Sequence, residues 1–139
     1  MKQKPAKQTI LIVEDDPQVM EVFSLLLEDS GYEVRRAESA LPALLIAGGT
    51  RPDLILADLN MPQMGGLELI GQFKSYADTR DIPIIVVTGS DDPANREAAL
   101  KVGCAAYITK PVTAAQFLAQ IAACLPGPAT KAKPKRRGA

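Results

Sequence analysis

Four places in this sequence carry side chains able to do chemistry, and each closes a short apolar run. Asp58 follows Asp53-Leu54-Ile55-Leu56-Ala57 and opens a loop bearing Pro62. Glu14 and Asp15 follow Thr9-Ile10-Leu11-Ile12-Val13, Thr88 follows Ile82-Pro83-Ile84-Ile85-Val86-Val87, and Lys110 follows Ala105-Ala106-Tyr107-Ile108-Thr109. A carboxylate is already a nucleophile at neutral pH, and its product with an activated phosphoryl group is an aspartyl phosphate. Phosphoryl transfer is mainly positioning and charge neutralisation, so such a site must surround anionic oxygens with cations and donors. Carboxylates at Asp15 and Asp58 with one backbone carbonyl suit Mg²⁺, which takes a few oxygen ligands and keeps several waters. Lys110 would add a second positive charge, and the Thr88 hydroxyl a hydrogen-bond donor. The adjacent acids Glu14, Asp15 and Asp16 repel one another unless a divalent cation lies among them. Asp16 has a simpler use as the N-cap of a helix that begins at Pro17.

Composition narrows the alternatives. The 139-residue chain is one domain's worth of sequence, large enough to bury a core without disulfides or structural metal. It contains no His, so Ser/His/Asp and Cys/His mechanisms, imidazole metal ligation and a phosphohistidine of its own are excluded. Cys104 and Cys124 have no metal or redox spacing and read as reduced core or near-core thiols, which favours a cytoplasmic protein. No apolar run is long enough to cross a bilayer, and the first residues lack the apolar region of a signal peptide. All 16 acids lie between Glu14 and Glu97, while half of the 16 bases lie in the two tails, so the body carries a net −8. A negative body is a poor nucleic-acid surface and a reasonable place for a cation.

The elements that must position these groups follow from periodicity and punctuation. Strands are predicted at Thr9–Val13, Tyr32–Arg36, Asp53–Ala57, Ile82–Val87 and Ala105–Thr109. Helices are predicted over about Pro17–Asp29, from a Ser39 cap to Ala47 with closure at Gly48-Gly49, and over Leu67–Ser75, Asp92–Val102 and Thr113–Cys124. The mixed polarity of the second strand suggests a sheet edge. Five strands alternating with helices imply a doubly wound parallel sheet covered on both faces, with right-handed crossovers. In such sheets the ligand crevice lies outside the strands' carboxyl ends, where the four stations would converge. Met1–Gln8 reads as a flexible leader and residues 126–139 as a disordered basic tail, leaving 9–125 as the folded domain.

In order and spacing, ILIVEDDP, DLILADLNMPQMGGLEL, IPIIVVTGS and AAYITKP resemble the receiver domain of two-component response regulators. The resemblance covers about residues 9–125 and implies the flavodoxin-like, CheY-like strand order 2-1-3-4-5, with five helices on the two faces. It makes Asp58 the phosphoacceptor and Glu14 with Asp15 the acidic pair. Asp58 and the backbone carbonyl of Asn60 would complete the protein's contribution to Mg²⁺. It assigns Lys110 to the phosphoryl group and couples Thr88 to Tyr107, which move together on phosphorylation and alter the face formed by the fourth helix, fifth strand and fifth helix. Asn60 and Ser90 occupy positions that in this family tune the lifetime of the aspartyl phosphate. The Lys110-Pro111 bond is often cis in such domains. The implied donor is a histidine kinase or histidine phosphotransfer protein, and the implied form a monomer or weak dimer.

Other readings stand beside this one. Tyr107 also suits a half-buried strand residue with a wet hydroxyl, and Thr88 an ordinary strand end. A phosphatase of the haloacid-dehalogenase type would need a second acid two residues beyond the nucleophile, where this chain has Asn60. A flavin-binding protein would need a phosphate-cradling loop after the first strand, where Glu14-Asp15-Asp16 has the wrong charge. A scaffold that keeps the fold without being phosphorylated would not need the complete acidic set. The tail from Lys131 to Arg137 could touch nucleic acid, an anionic membrane or an acidic partner, or stay solvated. With no room after Leu125 for an output domain, the expectation is a stand-alone, cytoplasmic receiver acting through another protein.

Overall fold

The computed structural model describes residues 7–61 and 64–125. Met1–Ala6 of the leader, Pro62 and Gln63 of the loop after Asp58, and residues 126–139 of the tail lie outside the described residues. The elements alternate as β1 (Thr9–Val13), α1 (Pro17–Asp29), β2 (Glu33–Ala37), α2 (Ala40–Thr50), β3 (Leu54–Ala57), α3 (Gly66–Ser75), β4 (Ile84–Thr88), α4 (Pro93–Val102), β5 (Ala106–Thr109) and α5 (Ala114–Cys124). The strands form one parallel sheet in the order β2-β1-β3-β4-β5. This is the doubly wound parallel sheet that the alternating pattern implies, in the flavodoxin-like order that the resemblance implies, with β2 at an edge.

Strand alternation divides the core into two layers. Leu11, Val13, Ile55, Ala57, Ile84, Val86 and Tyr107 face α2, α3 and α4, where they meet Ala43, Ala47, Leu69, Ile70, Phe73 and Ala99. Ile10, Ile12, Leu54, Leu56, Ile85, Val87 and Ile108 face α1 and α5, meeting Phe23, Leu27, Phe117 and Ile121. Phe23 and Phe117 stack across α1 and α5 with centroids 4.4 Å apart. Burial on both faces explains why the central strands are continuous apolar runs. Among the described residues no helix is long and apolar enough to cross a membrane.

Local chemistry sets the ends. Asp16 caps α1 by accepting from the Gln18 and Val19 amides, with Pro17 next, as the sequence indicates. Thr113 and Gln116 close a reciprocal capping box on α5. Ser39 occupies the N-cap position of α2 but its side chain makes no capping bond. The expected closure of α2 at Gly48-Gly49 is incorrect: the helix runs through both to Thr50. Ala40, Ala43 and Ala47 anchor it on the sheet, and packing outweighs the roughly 1 kcal/mol that each helical glycine costs. It stops at Arg51, whose left-handed backbone (φ 53°) turns its amide onto the Ala47 carbonyl, with Pro52 next. β4 begins two residues later than predicted. The Pro83 nitrogen has no hydrogen to donate, and the Ile82 amide bonds back to the Thr79 carbonyl. Gln8, assigned to the leader, is buried, and its carbonyl accepts from the Glu33 amide.

Candidate phosphoacceptor and metal site

The parallel register carries the expected groups to one edge of the sheet. β1 and β3 lie side by side with Val13 opposite Ala57, so Glu14 and Asp58 leave the sheet together. The Asp58 amide donates to the Val13 carbonyl at 3.2 Å, and the Glu14 amide to the Ala37 carbonyl at 3.0 Å. One carboxylate oxygen from each of Glu14, Asp15 and Asp58 lies within 4.8 Å of the others. Glu14 and Asp58 are buried, whereas Asp15 is exposed. Asp15 opens onto a cleft of about 300 Å³ that it shares with Glu14, Pro17, Met20, Glu21, Arg36 and Glu38.

Lys110 enters from the end of β5. Its Nζ donates to Glu14 Oε1 at 3.0 Å and stands 3.6 Å from Asp58 Oδ2. The Lys110 amide donates to the Thr88 carbonyl at 2.7 Å, which ties the ends of β4 and β5 together, and the Lys110-Pro111 bond is cis. Burial pushes the Glu14 carboxyl above its ordinary range. Hydrogen bonds from the Asp16 amide and Lys110 pull it down, and the charge of Asp58 adds to the upward push. Three carboxylates against one ammonium leave the cluster with excess negative charge, and an oxygen-only donor set of this kind fits Mg²⁺ rather than a softer metal.

The remaining expected residues sit around this cluster in distinct ways. The Asn60 amide donates to Asp58 Oδ1 at 3.3 Å, which turns the backbone after the strand beside the carboxylate. Thr88 is fully buried, and its Oγ1 accepts from the Ser90 amide at a long 3.4 Å. Ser90 Oγ accepts from the Asn95 side-chain amide at 2.7 Å. Tyr107 makes its polar contact with Ser90, not with a carboxylate: its hydroxyl donates to the Ser90 carbonyl at 2.8 Å while the residue is only 7% exposed. The Arg96 guanidinium lies 5.5 Å over that ring. Cys104 is buried and Cys124 half-buried, both free.

Two contributions escaped the sequence reading. Asn95 and Arg96, both on α4, join that helix to Ser90 and Tyr107, and nothing in helical periodicity distinguishes them from surface residues. Gly66 has a steric role: a Cβ there would stand 2.5 Å from the Asp58 carbonyl oxygen and 2.6 Å from the Leu59 Cα. The Gly65-Gly66 pair was the available signal, although it does not say which glycine is in contact.

A family model described as the response regulator receiver domain matches residues 10–122. Over 114 residues the chain is 40% identical to the polar-differentiation response regulator DivK of Brucella anthropi, covering 82% of this chain and 93% of that protein. Among solved structures it is similar to chemotaxis protein CheY4 of Vibrio cholerae, with 29% identity and a TM-score of 0.83 over 86% of this chain and 100% of that one. It is also similar to the receiver domain of sensor histidine kinase PA1611 from Pseudomonas aeruginosa, solved with a magnesium ion coordinated in its active-site cleft. That match has 29% identity and a TM-score of 0.81 over 88% of this chain and 100% of the other.

Proposed function

Because the chain belongs to the response regulator receiver family, whose receiver domains are non-catalytic phosphoacceptor switches, we propose that Asp58 is the residue that takes the phosphoryl group. The donor is the phosphohistidine of a histidine kinase or histidine phosphotransfer protein. The observation that carries this assignment is the approach of Glu14, Asp15 and Asp58 to within 4.8 Å of one another with the Lys110 ammonium against them. Glu14 and Asp58 both directly follow a strand; family membership favours Asp58, whose Oδ1 accepts from the Asn60 amide and whose Oδ2 stands 3.6 Å from Lys110 Nζ.

Glu14, Asp15 and Asp58, with the Asn60 carbonyl, would hold Mg²⁺, which when bound neutralises phosphoryl oxygens during transfer. An Asp58 oxygen forms the new bond to phosphorus as the phosphorus–nitrogen bond to the donor imidazole breaks, and the electron pair leaves with that nitrogen. Lys110 is positioned to follow the negative charge from the carboxylate onto the phosphoryl oxygens. The Thr88 hydroxyl, whose present bond to the Ser90 amide is long, is a strand-end hydroxyl that turns toward them. Movement of Thr88 alters the Ser90 backbone that Tyr107 holds, so the signal passes to the surface of α4, β5 and α5. Asn60 and Ser90 are the positions from which an attacking water would be admitted or excluded. The phosphoryl group is then either read by a protein partner on that surface or passed onward.

Intact-mass analysis after incubation with acetyl phosphate and Mg²⁺ tests the assignment. A labile gain of one phosphoryl group is expected, absent in Asp58→Asn and in the presence of a chelator. A wild-type protein that also remains unmodified by a phosphorylated histidine kinase or phosphotransfer protein would overturn it and leave a receiver-fold scaffold.

A further inference from the structure

The cleft beside the acidic cluster has one wall that the phosphoryl chemistry does not use. Besides Glu14 and Asp15, the charged side chains lining this space of about 300 Å³ are Glu21, Arg36 and Glu38, and Arg36 is the single base among the five. A space this small brings its walls within the roughly 8–10 Å over which charges act despite salt. A guanidinium on its wall repels a divalent cation, so where that guanidinium is held bears on the affinity of the cluster. The fold fixes Arg36 close by. It stands on β2 opposite Ile12 of β1, and the carbonyl of the next residue, Ala37, accepts the Glu14 amide at 3.0 Å. Glu21 lies early in α1, the helix whose N-cap, Asp16, directly follows Asp15. Between the two elements Arg36 Nη1 donates to Glu21 Oε1 at 3.3 Å. Both side chains are about half exposed, so the pair contributes little to stability.

We propose that Arg36 weakens Mg²⁺ binding and that Glu21 is a positioning residue that limits this effect, holding the guanidinium on the α1 side of the cleft and away from Asp15. The inference rests on the assignment of Mg²⁺ to Glu14, Asp15 and Asp58. Asp15 is the exposed member of that cluster and therefore the one that a released Arg36 meets. Glu38, exposed on the same wall, competes with Asp15 for the guanidinium and keeps the effect to a few-fold change. The pair thereby sets the Mg²⁺ concentration at which the site fills, without touching the ion or the phosphoryl group.

Calorimetric titration of the full chain with MgCl₂, with no phosphodonor present, tests this. Arg36→Gln should lower the Kd about threefold, because a positive charge leaves the cleft. Glu21→Gln should raise it about threefold, in line with the worth of an exposed ion pair. The double variant decides how Glu21 acts. In the Arg36→Gln background Glu21→Gln should change the Kd much less than in wild type, since no guanidinium remains to be held. Arg36→Lys, which keeps the charge, should stay near wild type, and melts in chelator establish that each variant is folded. An equal effect of Glu21→Gln with and without Arg36 would overturn the proposal, because Glu21 would then act through its own charge alone. So would a Kd that Arg36→Gln leaves unchanged or raises. A wild type that binds no Mg²⁺ would overturn the metal assignment and this inference with it.

Discussion

Gly66 rests directly on the backbone of Asp58. The first residue of α3 packs so closely against the end of β3 that a Cβ would fall 2.5 Å from the Asp58 carbonyl oxygen, while the Gly66 amide donates to the Leu59 carbonyl at 2.9 Å. One methyl group at Gly66 must therefore move either α3 or the strand end carrying the carboxylate. Gly66→Ala is expected to lower stability by about 1–3 kcal/mol in urea unfolding, the usual range for overpacking, and to slow phosphorylation by acetyl phosphate. Gly65→Ala is the control: its Cβ would meet only the Leu59 carbonyl oxygen at an ordinary 3.6 Å, with φ at −72°. Equal effects from the two variants would refute the steric account.

Tyr107→Phe keeps the ring in its pocket and removes only the bond to the Ser90 carbonyl. A loss of about 1 kcal/mol is expected, as for a single intramolecular hydrogen bond. Denaturant midpoints of the two proteins measure it, and an unchanged midpoint would mean that water replaces the hydroxyl without loss.

Mg²⁺ should raise the melting temperature through the acidic cluster. An ion that binds only the folded state at ten times its dissociation constant contributes about 1.4 kcal/mol, or several degrees for a domain of this size. Asp15→Asn removes the exposed member of the cluster without disturbing a buried contact, so the Mg²⁺-dependent shift should largely vanish while the melt in chelator stays near that of wild type. A full shift in that variant would place the ion elsewhere.

Ser24 lies on the buried face of α1, 0% exposed, with no hydrogen-bond partner for its hydroxyl. Such a group carries a desolvation cost, and alanine is also the better helix former. Ser24→Ala is expected to stabilise the fold by about 1 kcal/mol, with the phosphorylation rate unchanged, by thermal melting and intact-mass kinetics. A destabilised variant would show that the hydroxyl fills space the alanine leaves empty.

Burial pushes the thiols of Cys104 and Cys124 above the ordinary cysteine range, so at pH 8 each has less thiolate than a free cysteine. Alkylation by iodoacetamide should be slow in the native protein, speed up as pH rises, and reach Cys124 before the more deeply buried Cys104. Peptide mapping of a time course reads the order, and faster labelling of Cys104 would mean that β5 opens locally.

Much of this molecule was legible without coordinates because its signals are local. Apolar runs closed by Glu14, Asp58, Thr88 and Lys110 announce buried strands with chemistry at their ends, and Asp16-Pro17 marks a helix start through capping that needs no distant partner. Where boundaries were misread, packing outweighed propensity. Gly48 and Gly49 look like a stop signal, yet Ala43 and Ala47 dock the helix on the sheet and carry it past them.

By itself the sequence determined the alternation of strands and helices, the absence of imidazole chemistry and the inventory of acids, hydroxyl and ammonium able to handle a phosphoryl group. Those depend on residue type and on spacings within one element. Only the tertiary structure decided that Lys110, 96 residues from Glu14, donates to it at 3.0 Å, that Tyr107 turns its hydroxyl onto Ser90, and that Gly66 lies against Asp58. Each of these is a contact between distant parts of the chain, made by the register of parallel strands and the close packing of helices on them. Neither register nor packing is written in any single stretch of the sequence.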